Sequence, residues 1–100
     1  MDKEQQIIAL ITRLRADLGH GAFDIVDHWA PDLCAIGIAC SAEHSQLVYI
    51  STYNQPAGKY DYELETAPRS DGDIYDVAER GDADYDSLIR IIRRHLRLNP

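Results

Sequence analysis

The sequence lacks the short motifs that usually reveal a chemistry. It has no GxSxG elbow, no glycine-rich phosphate loop and no closely spaced cysteine and histidine pattern. Residues 82–93 begin like an EF-hand loop, but Ser87 and Arg93 stand where that loop needs a glycine and a bidentate glutamate. The sequence therefore predicts no catalytic residue, no bound metal and no cofactor.

Cysteine is scarce as well, and the two present, Cys34 and Cys40, are poorly placed for a disulfide. On one extended strand they would lie roughly 20 Å apart, far beyond disulfide reach. We expect two free thiols in a reducing compartment. Acids, amides and arginines interrupt the N-terminal segment, unlike a secretory signal peptide, and no apolar run is long enough to span a bilayer. A cytoplasmic protein with no membrane partner is the expectation.

Positive charge is in the minority, and the formal net charge at pH 7 is −7. Nucleic acids and anionic membranes attract positive surfaces, so we expect neither as a partner. Four arginines near the C-terminus could still bind phosphate or RNA, but a solvated helix face explains them more simply. These are Arg90, Arg93, Arg94 and Arg97. Residues 61–86 hold ten acids against two arginines, a balance that suits a basic protein partner.

Hydrophobic periodicity predicts one α+β domain over residues 1–100. We expect an antiparallel β-meander of four to five strands flanked by an N-terminal and a C-terminal helix. The predicted helices are 3–18 and 84–98, and the predicted strands are 22–29, 33–40, 47–53, 60–66 and a short edge strand at 74–80. Gly81 is expected to end the last strand, and the acids that follow it are expected to cap the C-terminal helix.

The predicted strand 33–40 is apolar throughout, which is typical of a strand buried on both faces. Its side formed by Ala35, Gly37 and Ala39 is small, and this side would let a helix approach closely. The sequence leaves open which face of the sheet the helices cover.

The hairpin between residues 47 and 66 has two alternating faces. If its strands are symmetric about the turn, one face is aromatic and the other mixes apolar and acidic side chains. The expected pairs are Tyr53 with Tyr60, Ser51 with Tyr62, Tyr49 with Leu64, Thr52 with Asp61, Ile50 with Glu63 and Val48 with Glu65.

Tyrosine is abundant, with six in the chain, and several lie among the acids. Half-buried sheet packing would explain them, but tyrosine is also favoured in recognition surfaces because it offers area and a hydroxyl at little entropic cost. Because acids and tyrosines coincide in one segment, we predict a partner-binding surface there. Its predicted members are Tyr60, Asp61, Tyr62, Glu63, Glu65, Asp71, Asp73, Tyr75 and Asp76.

The run LVYISTYNQPAGKYDYELE and the closing ERGDADYDSLIRIIRRHL, with the helix before them, resemble small acidic bacterial immunity proteins of polymorphic toxin systems. The resemblance implies a non-catalytic protein that binds and neutralises a cognate toxin. The leading hypothesis is an immunity protein or inhibitor of a basic toxin or enzyme, and the alternative is a structural or adaptor domain acting as a homodimer. A small enzyme is the third possibility, which His28 or His44 bonded to an acid in a closed cleft would favour.

Overall fold

The computed structural model describes residues 2–26, 31–66 and 76–98. They form one five-stranded antiparallel sheet whose strands lie side by side in chain order, with a helix before it and a helix after it. The elements are α1 (Gln5–Leu18), β1 (Phe23–Ile25), β2 (Ala35–Cys40), β3 (Glu43–Ser51), β4 (Lys59–Thr66), β5 (Asp76–Asp84) and α2 (Tyr85–His95). The predicted α+β meander is confirmed.

Both helices bury their apolar stripes against the same face of the sheet. Side chains of α1 and α2 share one core with alternate residues of β2, β3 and β4. The central members of this core are Ile7, Leu10, Leu14, Ile36, Ile38, Val48, Ile50, Leu64, Leu88 and Ile92. The helices thus cover the isoleucine side of β2 and not its alanine and glycine side. The isoleucines offer more apolar area to bury, which outweighs the closer approach that small residues allow.

The two helices are also joined to each other by polar contacts around Tyr85. The guanidinium of Arg13 lies 3.6 Å from the centre of the Tyr85 ring. The Tyr85 hydroxyl donates a 2.6 Å hydrogen bond to Asp17 Oδ2, and Arg93 donates to the backbone carbonyl of Asp17 over 3.3 Å. The helices therefore form one layer, and the opposite face of the sheet receives no helix from the described part of the chain.

The hairpin register differs by one residue from the symmetric prediction. In the structure Ser51 pairs with Asp61, Ile50 with Tyr62, Tyr49 with Glu63 and Val48 with Leu64. A slip of one residue moves a side chain to the other face, so Tyr62 joins the core under the helices and does not share a face with Tyr49. The connecting loop places Asn54 and Gly58 at φ values of 58° and 85°. Residues with positive φ allow a tight turn, and the amino-acid composition of a loop does not specify which residues adopt that conformation.

Strand β5 continues through Gly81, which was expected to end it. Gly81 pairs with Tyr62 on β4, and a Cβ atom added at Gly81 would lie 2.9 Å from the Tyr62 hydroxyl oxygen. Gly81 is therefore needed because any larger side chain would collide with the Tyr62 ring, and not because the chain turns there. The strand then runs directly into α2, where the side chain of Asp84 accepts a 2.9 Å hydrogen bond from the backbone N–H of Ser87.

The Asp84 cap provides a first test of the fold. Replacing Asp84 with alanine should lower the melting temperature by a few degrees, because it leaves an N–H of the first turn of α2 without its acceptor. The matched control is Asp86→Ala, which removes an equal charge from the same turn without removing that bond. Thermal unfolding followed by circular dichroism measures both. Equal losses in the two variants would show that charge near the helix terminus, and not the cap, is what matters.

Candidate functional site

The sheet face opposite the helices carries side chains in aligned rows. Residues paired directly across antiparallel strands point to the same side of the sheet. The registers of β2 to β5 are continuous over the first two rows, and a register shift between Leu64 and Glu65 on β4 separates these from the third row. The rows are Ala35-Ser51-Asp61-Asp82, Gly37-Tyr49-Glu63-Arg80 and Ala39-Leu47-Glu65-Val77. In the second row, a glycine on β2 is therefore followed by a tyrosine on β3 and by charged residues on β4 and β5.

A groove of about 540 Å³ lies over the first two of these rows. Tyr49 and Tyr53 supply its aromatic wall, and the Tyr53 residue is 66% exposed. Three carboxylates and one guanidinium supply its charge. The lining residues are Tyr49, Ser51, Tyr53, Asp61, Tyr62, Glu63, Arg80, Gly81 and Asp82. The groove therefore combines aromatic surface with a net negative charge.

Two of the groove's acids, Asp61 and Asp82, lie directly opposite each other on β4 and β5. Gln55 donates a 2.7 Å hydrogen bond from Nε2 to Asp61 Oδ1. Asp82 is exposed, and within the described ranges no side chain donates a hydrogen bond or forms a salt bridge to it. Like charges at directly opposed positions destabilise a sheet. Such a local conflict is expected at sites kept for function rather than for stability.

The next acid along β4, Glu63, faces the only basic side chain in the groove's lining. Its Oε1 lies 3.6 Å from a terminal guanidinium nitrogen of Arg80, and the Arg80 side chain is 69% exposed. At this distance and exposure the ion pair is weak. The pair brings a guanidinium to the groove, whereas no described arginine forms a salt bridge with Asp61 or Asp82.

Glu65 lies beyond the groove on the same face and is 6% exposed. Burial, the neighbouring charge of Glu63 and a hydrogen bond with Glu63 raise the pKa of Glu65 to about 7. A carboxyl group of this kind is partly protonated at neutral pH. Its burial removes it from the accessible surface, although the alternation along β4 predicted an outward-facing acid.

The predicted partner surface is divided by the structure. Asp61, Tyr62 and Glu63 all line the groove, whereas Glu65 is buried beside it. Tyr62 is 8% exposed, and its hydroxyl donates a 3.1 Å hydrogen bond to Glu79 on the helix side. Tyr60 is half-buried against the core. The tyrosines of β4 therefore pack the core, contrary to the expectation for a recognition surface.

The remaining predicted members lie at or beyond the start of β5. Asp76 begins this strand and pairs with Thr66. Asp71, Asp73 and Tyr75 lie outside the described residues.

Tyr49, Tyr53, Arg80 and Asp82 belong to the groove but were not predicted for the site. The predicted register placed the first two on a face with Tyr60 and Tyr62. Asp82 was taken for a helix cap because β5 was expected to end at Gly81. The sequence did indicate that Asp82 could lie on a strand. Arg80, Asp82 and Asp84 stand at alternate positions, and β5 continues past Gly81 to include all three.

Among the residues that the structure describes, the histidine and cysteine contacts do not form a recognisable catalytic arrangement. His44 Nε2 lies 2.8 Å from Asp24 Oδ2, and Ser41 donates a 3.1 Å hydrogen bond to the other oxygen of Asp24. These bonds lower the pKa of Asp24. The serine thus bonds to the acid, whereas a nucleophilic serine must bond to the histidine. His44 and Asp24 are both about half exposed, so they do not meet the criterion of a closed cleft, and His28 lies outside the described residues.

Cys34 and Cys40 are free thiols, as expected. Cys34 precedes β2 instead of lying on it. Its thiol donates a 2.9 Å hydrogen bond to Glu4 Oε2, and this bond, with burial and the Glu4 charge, raises the pKa of the Cys34 thiol. A raised pKa makes a thiol less reactive.

Within residues 2–26, 31–66 and 76–98 there is no group of three or more histidine, cysteine, aspartate or glutamate side chains placed to hold a metal ion. Neither α1 nor α2 is long and apolar enough to cross a membrane.

Comparison of the chain with models of protein families, with curated proteins and with solved structures gives no match. The resemblance to immunity proteins therefore stays a prediction. The geometry and charge of the groove carry the functional argument.

Proposed function

We propose that this chain is a non-catalytic protein-binding module that binds a basic protein at the sheet face opposite its helices. The most concrete form of the proposal is an immunity protein or inhibitor that neutralises a toxin or an enzyme. The supporting observation is that acids and tyrosines, of which Asp82 and Tyr53 are exposed, meet in one groove on the sheet face that neither α1 nor α2 covers. Aromatic area with little entropy to lose and complementary charge are the two features that protein recognition sites combine.

The distribution of charge over the two layers favours this orientation. Helix α2 carries Arg90, Arg93 and Arg94 against the single acid Asp86, whereas the groove holds three carboxylates against one guanidinium. Such a separation attracts a basic partner towards the sheet face and repels it from α2. It thereby gives the encounter a preferred direction.

A homodimer is the second candidate, and the position of β5 is the observation that bears on it. This strand lies at the edge of the described sheet and is nine residues long. A free edge of this length can pair with a strand of another chain. However, β5 carries four acids and one arginine, so two copies would bring like charges together. The same charge favours a basic partner.

Charge reversal in the groove tests the proposed function. We expect Asp61→Lys with Asp82→Lys to reduce the association rate with the basic partner at least about tenfold and to weaken its dependence on salt. The partner to test is the protein encoded by the neighbouring reading frame. The matched control is Asp2→Lys with Asp86→Lys, which changes the net charge equally on exposed residues away from the groove.

Association kinetics at several salt concentrations, with folding checked by circular dichroism, separate the possibilities. Equal losses in both double variants would show that net charge alone drives binding. Unchanged binding of the groove variant would contradict the proposal. A concentration-dependent mass in solution for the isolated protein would favour the homodimer.

A further inference from the structure

We propose that the groove is a receptor for a guanidinium group, and that the partner inserts an arginine side chain between Asp61 and Asp82 against Tyr49 and Tyr53. This inference rests on the proposed function and deepens it by naming the chemistry that the partner presents. It follows from the shape of the groove, from the charges in it and from the position of Arg80.

The lining of the groove matches the chemistry of a guanidinium group. This group is planar, carries five donors, pairs with carboxylates and stacks on aromatic rings. The groove offers carboxylates at Asp61 and Asp82 beside the rings of Tyr49 and Tyr53. Tyr49 is a neutral phenol at physiological pH, because the ordinary pKa of its side chain is 10 and burial, together with nearby acids, raises this pKa further. An ammonium group would gain less, because it lacks a plane to stack.

The same combination already holds an arginine elsewhere in the molecule. Arg13 lies 3.6 Å above the ring of Tyr85, whose hydroxyl bonds to the carboxylate of Asp17. Arg15 lies 4.6 Å from the centre of the Phe23 ring. These contacts show that arginine packs on aromatic rings of this fold with an acid close by.

Arg80 brings a guanidinium of the chain itself to the edge of the groove. It remains largely exposed at 3.6 Å from Glu63, and it does not neutralise Asp61 and Asp82, which face each other in the adjacent row. An incoming guanidinium therefore has two carboxylates to bind and one positive charge nearby to repel it. The positive charge of Arg80 therefore opposes binding of the partner's arginine, so removing Arg80 should strengthen that binding.

The test uses three capped tripeptides with glycine on either side of arginine, lysine or citrulline, titrated into the full chain and followed by amide chemical shifts. The arginine peptide should shift resonances of the groove in a saturable way and bind more tightly than the lysine peptide. The citrulline peptide has the same shape without the charge and should not bind. Arg80→Ala should strengthen binding of the arginine peptide about threefold, because a repelling charge is removed. Asp82→Asn should weaken it by a similar factor.

Three results would overturn the inference. They are equal binding of the citrulline peptide, weaker binding to the Arg80→Ala variant, and no saturable shift in the groove at any soluble concentration of the arginine peptide. In the last case the full partner can still lose affinity on charge reversal at Asp61 and Asp82. The proposed function would then stand, and only the assignment of a guanidinium would fail.

Discussion

Replacing Glu65 with glutamine is expected to raise the free energy of unfolding by about 2 kcal/mol at pH 8 and to leave it nearly unchanged at pH 4. The ordinary pKa of this side chain is 4.5, and the folded protein raises it to about 7. Folding must therefore remove a charge from water at high pH, beside a second carboxylate at Glu63. Glutamine has the same size and never carries that charge.

The direction of the pH dependence follows from the protons bound in each state. Between pH 4.5 and about 7, Glu65 is protonated in the folded chain and ionised in the unfolded chain. Stability contributed by this group is thus fully present below pH 4.5 and is lost as the pH rises through about 7. The wild type should become less stable across this interval relative to the Glu65→Gln variant.

Urea unfolding of both proteins at several pH values measures the difference. All other side chains are the same in both proteins, so their contributions cancel in the comparison. Glu63→Gln serves as a control, because removing the neighbouring charge should lower the pKa of Glu65 and give part of the stabilisation. A difference between wild type and Glu65→Gln that is the same at pH 5 and pH 8 would contradict the raised pKa.

Replacing Gly81 with alanine is expected to cost about 2 kcal/mol of stability, although alanine in a strand is otherwise favoured over glycine. The added methyl group would lie 2.9 Å from the Tyr62 hydroxyl oxygen and 3.2 Å from the ring carbon that bears it. The ring must then move, and its hydroxyl would lose the hydrogen bond to Glu79.

A double-mutant cycle identifies the contact responsible. In the Tyr62→Phe background the atom nearest to the new methyl group is gone, so Gly81→Ala should cost about half as much. Urea unfolding of the four proteins gives the coupling energy directly. Additive losses in the cycle would mean that the two residues do not compete for the same space, and that Gly81 has another role in β5.

The order and type of the elements were predictable because periodicity is a local property. The helical spacing of Leu10, Ile11 and Leu14 predicts α1, and the spacing of Leu88 and Ile92 predicts α2. These residues are all buried in the structure. A four- to five-stranded meander follows from consecutive strands joined by short turns. Which sheet face the helices cover was not predictable, because it depends on competition between two apolar sides of β2.

The site was predicted less well than the fold, and the hairpin register explains most of the difference. Alternation shows that Asp61, Glu63 and Glu65 share a face, but it does not show which residues of β3 lie opposite them. The symmetric register placed these acids beside Val48, Ile50 and Thr52. The structure instead pairs them with Leu47, Tyr49 and Ser51. The charge of the site was thus anticipated, whereas its aromatic wall and its row of opposed acids depend on the loop.

The helix layer and the groove contribute differently to stability and to binding. The helices and the inner side of the sheet supply the core, whereas the groove keeps features that cost stability, among them the opposed pair Asp61 and Asp82 and the nearby buried Glu65. Substitutions that stabilise the isolated protein at Asp61 and Asp82 should therefore weaken partner binding. Substitutions of exposed residues on the helices should leave binding unchanged.

Mapping the bound surface tests the central claim most directly. The isotopically labelled chain is saturated with the unlabelled protein from the neighbouring reading frame, and transfer of magnetisation from that partner identifies the amides in contact. We predict that transfer is strongest around Tyr53, Asp61 and Asp82, with little effect on the exposed side of α2. Transfer concentrated on the arginines of α2, with the groove unaffected, would contradict it.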